Sequence, residues 1–313
     1  MKYIVTGGAG FIGSHIVEEL GKQQHEVVIL DNLFSGKMEN IMPFLKNKNV
    51  TFVKGSITDL SLLKKIVEGA DGIFHEGAIA SVPRSIANPL ASNEANVTGT
   101  LNVLVAARDC GVRKVLFASS SSVYGNTPTL PKHEDMTPNP LSPYAVSKLT
   151  GEHYLKVFSE VFGFQTLSLR YFNVFGPRQD PKSEYAAVIP RFITTILGEG
   201  SPTIYGDGGQ TRDFTYVKDV VQANIRAMES DAQGVFNVAY CKRIDLNQLA
   251  AMIMEITGIT VPLLYEPPRT GDVRDSLADI RRAQETFGYA PEYTVETGLK
   301  ETIAWYRGLK SAV

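Results

Sequence analysis

Tyr144-Ala145-Val146-Ser147-Lys148 sets a phenol and an ammonium four residues apart, so a helix through this run carries both on one face. A free phenol ionises near pH ~10 and is a poor base at neutrality, but a neighbouring lysine and a positively charged cofactor ring both favour the phenolate. The same spacing also suits a half-buried tyrosine beside a solvated lysine. Two further runs favour chemistry: a hydroxyl-rich strand end, Ser119-Ser120-Ser121-Ser122-Val123-Tyr124-Gly125, and a glycine-rich turn near the N-terminus.

That turn reads Thr6-Gly7-Gly8-Ala9-Gly10-Phe11-Ile12-Gly13, directly after the apolar run Tyr3-Ile4-Val5. It holds both Gly8-x-Gly10-x-x-Gly13 and Gly7-x-x-Gly10-x-x-Gly13. Glycines there allow a tight turn and close approach of backbone to a pyrophosphate, which the N-terminus of the following helix meets with amide donors. Alone the motif is weak; a strand before it, a helix after it and an acid about twenty residues on complete the dinucleotide context. The acid is Asp31, in Ile29-Leu30-Asp31-Asn32. Its carboxylate suits the ribose hydroxyls and repels a 2′-phosphate, which favours NAD over NADP. A purely structural use, capping the turn toward Ser35, is the alternative.

Several elements must position these groups. Tyr3 to Thr6, Val27 to Leu30, Thr51 to Val53, Gly72 to His75, Val115 to Ala118 and Thr166 to Arg170 read as strands. Gly10 to Gly21, Ser61 to Glu68, Ala95 to Cys110 and Tyr144 to Phe162 read as helices between them, and Lys218 to Met228, Leu246 to Thr257 and Val295 to Tyr306 as later amphipathic helices. The alternation predicts an α/β fold: a doubly wound parallel Rossmann sheet with a smaller C-terminal α/β substrate-binding lobe. The expected division is 1–172 for the nucleotide-binding part and 173–313 for the second lobe, with some crossover of the chain and no linker.

With 313 residues, 43% of them hydrophobic, the chain can bury a full core. A net charge of -2 without basic clusters argues against nucleic acid and anionic membrane surfaces. The chain opens on a strand-like run and carries no apolar run of spanning length, so a cytoplasmic protein is expected. Cys110 and Cys241, far apart and without CxxC spacing, read as core thiols rather than as a disulfide or a zinc site.

With these residues in place, the chain resembles the extended short-chain dehydrogenase/reductase family, and within it the UDP-hexose 4-epimerases. The resemblance runs through TGGAGFIG (6–13), DNLFSG (31–36), SSSSVYG (119–125), YAVSK (144–148), RYFNVFGPRQ (170–179), GDGGQTRDF (206–214) and PRTGD (268–272). It implies an NAD-dependent isomerase with Ser120, Tyr144 and Lys148 as catalytic residues and Ser121 as the reserve hydroxyl. For NAD it implies Gly7, Gly10, Phe11, Ile12, Gly13, Asp31, Asn32, Ser35, Gly36, Ser56, Ile57, Gly77, Ala78, Asn96, Ser119 and Tyr171, besides Tyr144 and Lys148. For the UDP-hexose it implies Ser81, Ser120, Asn173, Ala187, Val188, Tyr205, Arg212, Arg269, Asp272 and Ser276, the arginines clamping the diphosphate. A homodimer through the helices Ala95 to Cys110 and Tyr144 to Phe162 is implied too, and Leu101, Leu104, Val105, Leu149, Tyr154 and Leu155 look like more apolar surface than one sheet-facing stripe needs.

Some positions depart from the family. Ser56 stands where Asp is frequent, and Glu76 where an apolar residue is usual. His75 reads as a packed strand-end histidine. Ser121 and Ser122 replace the Asp-Glu of the 4,6-dehydratases, which disfavours dehydration, and the uronate decarboxylases are disfavoured for want of the matching Glu; a silent NAD-binding regulator is an alternative of another class. Ser276, four positions past Asp272, falls where a bulky aromatic excludes N-acetyl sugars in relatives. Together with Ser81 to Ser85, Gln179 to Pro181 and Tyr185 to Pro190, it resembles the branch that accepts them.

Overall fold

The computed structural model describes residues 1–181, 187–268 and 274–310. Six parallel strands come from the first half: β1 (Lys2–Thr6), β2 (Glu26–Asp31), β3 (Val50–Lys54), β4 (Gly72–His75), β5 (Lys114–Ser120) and β6 (Gln165–Tyr171). β4 is buried along its whole length, and β5 and β6 nearly so, as in strands covered by helices on both faces. A seventh strand, Gly234–Val238, joins from the far half and pairs in parallel with β6. The order is therefore Gly234–Val238, β6, β5, β4, β1, β2, β3. This last strand was not among the expected ones; GVFNV is short and mixed in polarity, and only its place beside β6 makes it a strand. The helix Val217–Glu229 packs its Val220, Ala223 and Ala227 into the same core as Val5 and Phe74. Residues beyond 173 thus complete one edge of the sheet and cover one of its faces.

Chain order reverses between β1 and β4, which are direct neighbours with Thr6 opposite His75. Connections leave to opposite sides there, so the carboxyl ends of the strands open a crevice. A second core, built on Phe175, Ile193, Ile204, Leu249, Ile253 and Leu299, lies under the helices Val188–Leu197, Leu246–Thr257 and Val295–Lys310 and forms the far bank of that crevice.

Two corrections concern the helices. The predicted helix from Ala95 is a π-helical turn, Glu94–Thr98, that runs into the α-helix Gly99–Asp109, and two short helices, Val82–Ala87 and Pro89–Asn93, precede it. Their starts have ordinary causes: Ser81 and Asn88 accept the amides of Arg84 and Ala91, and a proline occupies each first turn. The second correction concerns two of the apolar residues assigned to a dimer face, Leu104 and Leu155. Leu104 and Leu155 are buried in the core on one side of the sheet, whereas Leu101, Val105, Tyr154 and Leu149 pack against the cores and stay partly exposed. The helix Pro143–Phe162 also exposes the apolar residues Val146, Val157, Val161 and Phe162. Among the described residues no helix is long and apolar enough to cross a membrane.

Candidate active site

The crevice is a cleft of about 1220 Å³ lined from both banks. Pockets for a single small ligand run to roughly 300–1,000 Å³, so this one has room for more than one.

One bank is the glycine turn. Gly7 has φ +66°, and a Cβ on it would lie 2.7 Å from the Gly77 amide nitrogen; a Cβ on Gly13 would lie 2.4 Å from the Gly7 carbonyl oxygen. Only bare backbone fits, which leaves the start of the helix Phe11–Lys22 open to an anion. Asp31 ends β2 with its carboxylate accepting the Ala9 amide at 3.0 Å and the Leu33 amide at 2.7 Å. It lines the cleft and stands 2.8 Å from where a Cβ of Gly36 would be. Phe11, Ile12, Asn32, Ser35, Ser56, Ile57, Ala78, Ser119 and Tyr171 line the same bank. Bare glycines at a helix start and an acid at the end of the second strand are what a dinucleotide requires, so these residues fit NAD.

Asn96 sits differently. Its side chain is buried behind the wall, accepting the Ile79 amide at 2.7 Å and donating to the Ile79 carbonyl at 3.2 Å and to Ser147 Oγ at 3.0 Å. It clamps the loop 77–80 onto the helix Pro143–Phe162. The π-turn that carries it is the kind of irregularity that helices show at functional sites.

The reactive groups project from β5 and the helix Pro143–Phe162. That helix starts firmly because Ser142 caps the Ala145 amide at 3.2 Å and Pro143 occupies its first turn. Tyr144 and Ser120 line the cleft together, and Lys148 Nζ lies 5.9 Å over the Tyr144 ring. Both serines considered line the cleft, and Ser120 is the one whose hydroxyl favours the phenolate. Lys148 is buried, donates to the Ala118 carbonyl at 2.6 Å, and has its pKa lowered by that burial, against the attraction of Glu76 and Glu152. The expectation that Lys148 brings the phenol down is not met by the protein alone. Burial, opposed by Ser120 and assisted by Glu76, pushes Tyr144 up to about 12. The protein presents a protonated phenol, and a cationic ring is left to lower it.

On the other bank, Asn173 adopts φ +35° and donates to the Asp213 carbonyl at 3.1 Å and to Ser276 Oγ at 3.3 Å. Arg212 lies beside them, its Nη1 donating to the carbonyls of Thr211 at 2.9 Å and Arg274 at 3.0 Å. Ser81, Asn173, Ala187, Arg212 and Ser276 line the cleft; Tyr205 and Val188 do not. The Tyr205 carbonyl accepts Gln210 Nε2 at 2.7 Å, and Val188 begins a helix and packs on the second core. Arg269, Asp272, Tyr185 and Ala186 lie outside the described residues.

The model of the NAD dependent epimerase/dehydratase family matches residues 3–239. The chain belongs to that family. A putative UDP-glucose 4-epimerase of Methanocaldococcus jannaschii is 41% identical over 97% of this chain and 98% of its own length. Among solved structures, the UDP-N-acetylglucosamine 4-epimerase of Methanobrevibacter ruminantium, in complex with UDP-N-acetylmuramic acid, superposes with a TM-score of 0.95 at 45% identity, covering 98% of both chains. The UDP-glucose 4-epimerase of Thermotoga maritima with UDP-glucose gives 0.95 at 39% identity, covering 99% of this chain and 100% of its own. This epimerase is NAD-dependent, as its family is.

Two parts of the epimerase site were given no role by the motifs. Glu152 lies one helical turn beyond Lys148 and is buried with Arg170, which it binds through both oxygens at 2.9 and 2.7 Å while also accepting Ser119 Oγ at 2.5 Å. The Arg170 guanidinium rests 4.7 Å over the Tyr124 ring. A charge every fourth residue, 148 then 152, on a helix otherwise facing the sheet was the available signal. The other part is Arg178, which lines the cleft, pairs with Glu18 and stands 5.0 Å over Phe44, joining the two banks.

Proposed function

We propose that this protein is a UDP-hexose 4-epimerase that interconverts UDP-glucose with UDP-galactose and UDP-N-acetylglucosamine with UDP-N-acetylgalactosamine. The observation that carries the reading is the grouping of Ser120, Tyr144 and Lys148, the lysine beneath the phenol ring, on the wall of a cleft whose opposite wall holds Asn173, Arg212 and Ser276. Asp31, Gly7, Gly10 and Gly13 would hold NAD, and Lys148 its nicotinamide ribose. NAD, when bound, supplies a reversible acceptor for the hydride of the sugar's C4. Tyr144 takes the proton of the 4-hydroxyl, with Ser120 orienting that hydroxyl, and returns it after the sugar has turned. Arg212 and Asn173 hold the nucleotide, so the hexose alone is free to present its other face. No net oxidation results.

Ser121 and Ser122 carry no acid for removing water across C5 and C6, which favours epimerisation over dehydration. We also infer a homodimer, for which the exposed Val146, Val157, Val161 and Phe162 offer apolar surface; light scattering at micromolar concentration decides it. The test of function is incubation of the purified protein with each of the four UDP-sugars and chromatographic separation of the products. Appearance of the 4-epimer from either side is the expected result. A 4-keto-6-deoxy product, or recovery of unchanged sugar with NAD bound, rejects the reading.

A further inference from the structure

Glu76 follows β4 and stands in the cleft wall where Tyr144 and Lys148 also stand. Its Oε1 is 2.8 Å from the Tyr171 hydroxyl, and that hydroxyl is also 3.0 Å from Asn224 Oδ1. The Asn224 amide cannot be turned round, because its Nδ2 donates to the Val220 carbonyl at 2.7 Å. Its Oδ1 is therefore an acceptor. A phenol carries one proton, so Tyr171 can donate to Asn224 or to Glu76 but not fully to both. Two short oxygen–oxygen contacts need two protons, and the only other group that can supply one is the Glu76 carboxyl. Asn224 is fully buried, so leaving it without a donor costs the desolvation of an unpaired carbonyl.

We propose that Glu76 is a neutral carboxylic acid in the resting enzyme, donating to Tyr171 while Tyr171 donates to Asn224, and that this neutrality keeps the Lys148 charge available to Tyr144. The second half rests on Tyr144 being the acid–base residue proposed above; the first does not.

The surroundings agree with it. From the helix Pro143–Phe162 Glu76 feels Lys148, and Tyr144 feels Glu76; from β6 it meets Tyr171; from the helix Val217–Glu229 Asn224 closes the chain of bonds. Neighbouring His75 is occupied by Thr6 and Thr100, and Glu152 by Arg170 and Ser119. Burial raises the Glu76 pKa above the usual carboxylate range, and the Tyr171 bond and Lys148 only partly offset it. Were Glu76 ionised, its charge would offset that of Lys148 and push the Tyr144 phenol higher still. Raising the pH through the Glu76 ionisation therefore works against the base.

Carbon-13 NMR of side-chain carboxyls in glutamate-labelled protein, without nucleotide or sugar, tests the protonation directly. The Glu76 signal is assigned by its loss in Glu76→Gln. Glu76 is expected to remain protonated at pH 6, where an ordinary glutamate, with a pKa of about 4.3, is ionised; a midpoint in the ordinary range overturns the proposal. Asn224→Leu removes the competing acceptor and frees the Tyr171 proton for a carboxylate, so the Glu76 midpoint should fall, and an unmoved midpoint overturns the relay. The positioning role is read from the pH profile of kcat. In Glu76→Gln the alkaline decline should move up by about one pH unit, whereas alkaline limbs that coincide with those of the wild type reject that role. Because the NMR measurement involves no substrate, its failure is distinct from failure of the epimerase reading.

Discussion

Asn173 Nδ2 lies 3.3 Å from the Ser276 hydroxyl, so a residue just past the carboxyl end of β6 is tied to the segment that closes the far bank of the cleft. Ser276 also donates its amide to the Thr211 carbonyl at 3.2 Å, beside Arg212. Its side chain is therefore small, fixed and inside the cleft.

From this position Ser276→Tyr should fill the space beside the sugar's 2-substituent. The kcat/KM for UDP-N-acetylglucosamine and UDP-N-acetylgalactosamine is expected to drop tenfold or more, about 1.4 kcal/mol, while plain hexoses change far less. Steady-state rates on the two pairs check it. An equal loss on both pairs, or a wild type inert on acetylated sugars, refutes the role of Ser276.

Tyr144→Phe removes the phenol hydroxyl beside Ser120 in the cleft wall and leaves the ring that Lys148 overlies. Turnover should fall by two or more orders of magnitude, the usual contribution of positioned proton transfer. Binding of NADH, followed by fluorescence, should be nearly unchanged. A variant with near-normal turnover would move the proton chemistry to another residue.

Glu152 and Arg170 are each about 4% exposed in their side chains and bind each other through two hydrogen bonds. Glu152→Ala leaves a buried guanidinium without its partner and strands Ser119, so stability to urea should drop by roughly 3–5 kcal/mol. The double replacement Glu152→Met with Arg170→Met should recover much of that loss, because both desolvated charges go together. Equal instability of single and double variants would mean that the pair matters for its shape alone.

His75 is buried between two hydroxyls. Thr6 Oγ1, which accepts the Gly77 amide, faces Nδ1 at 2.7 Å, and Nε2 faces Thr100 Oγ1 at 2.9 Å, whose own proton goes to the Asn96 carbonyl. Nε2 therefore carries the proton and Nδ1 accepts. Burial holds the pKa down at about 3. Since the unfolded chain binds a proton near 6.5 and the folded one does not, this stability is present above pH 6.5 and is lost as pH falls toward 3. Between pH 7 and 5 the loss is on the order of 2 kcal/mol. Urea midpoints at the two pH values should differ less in His75→Asn than in the wild type; equal differences would contradict the assignment.

The fold class was legible because β-branched runs alternate with amphipathic ones at βαβ spacing, and the glycine turn, Asp31 and the Tyr144–Lys148 pair were legible because each lies within a single strand, turn or helix. Local periodicity determines those. What it could not reach were relations between elements far apart in the chain. Gly234–Val238 becomes a strand only because β6 offers it an edge. Asn96 looks like a cleft residue until Ile79 and Ser147 are seen to take all of its polar atoms. The lowering of Tyr144 expected from its helix neighbour gives way to burial, a quantity that depends on everything packed around the phenol. Glu76, unexplained in the chain, acquires a meaning from Tyr171 and Asn224, two elements away. A sequence determines which chemical groups exist and which share a strand or a helix face; desolvation and the count of protons among converging oxygens are three-dimensional sums, and only the packed structure decides them.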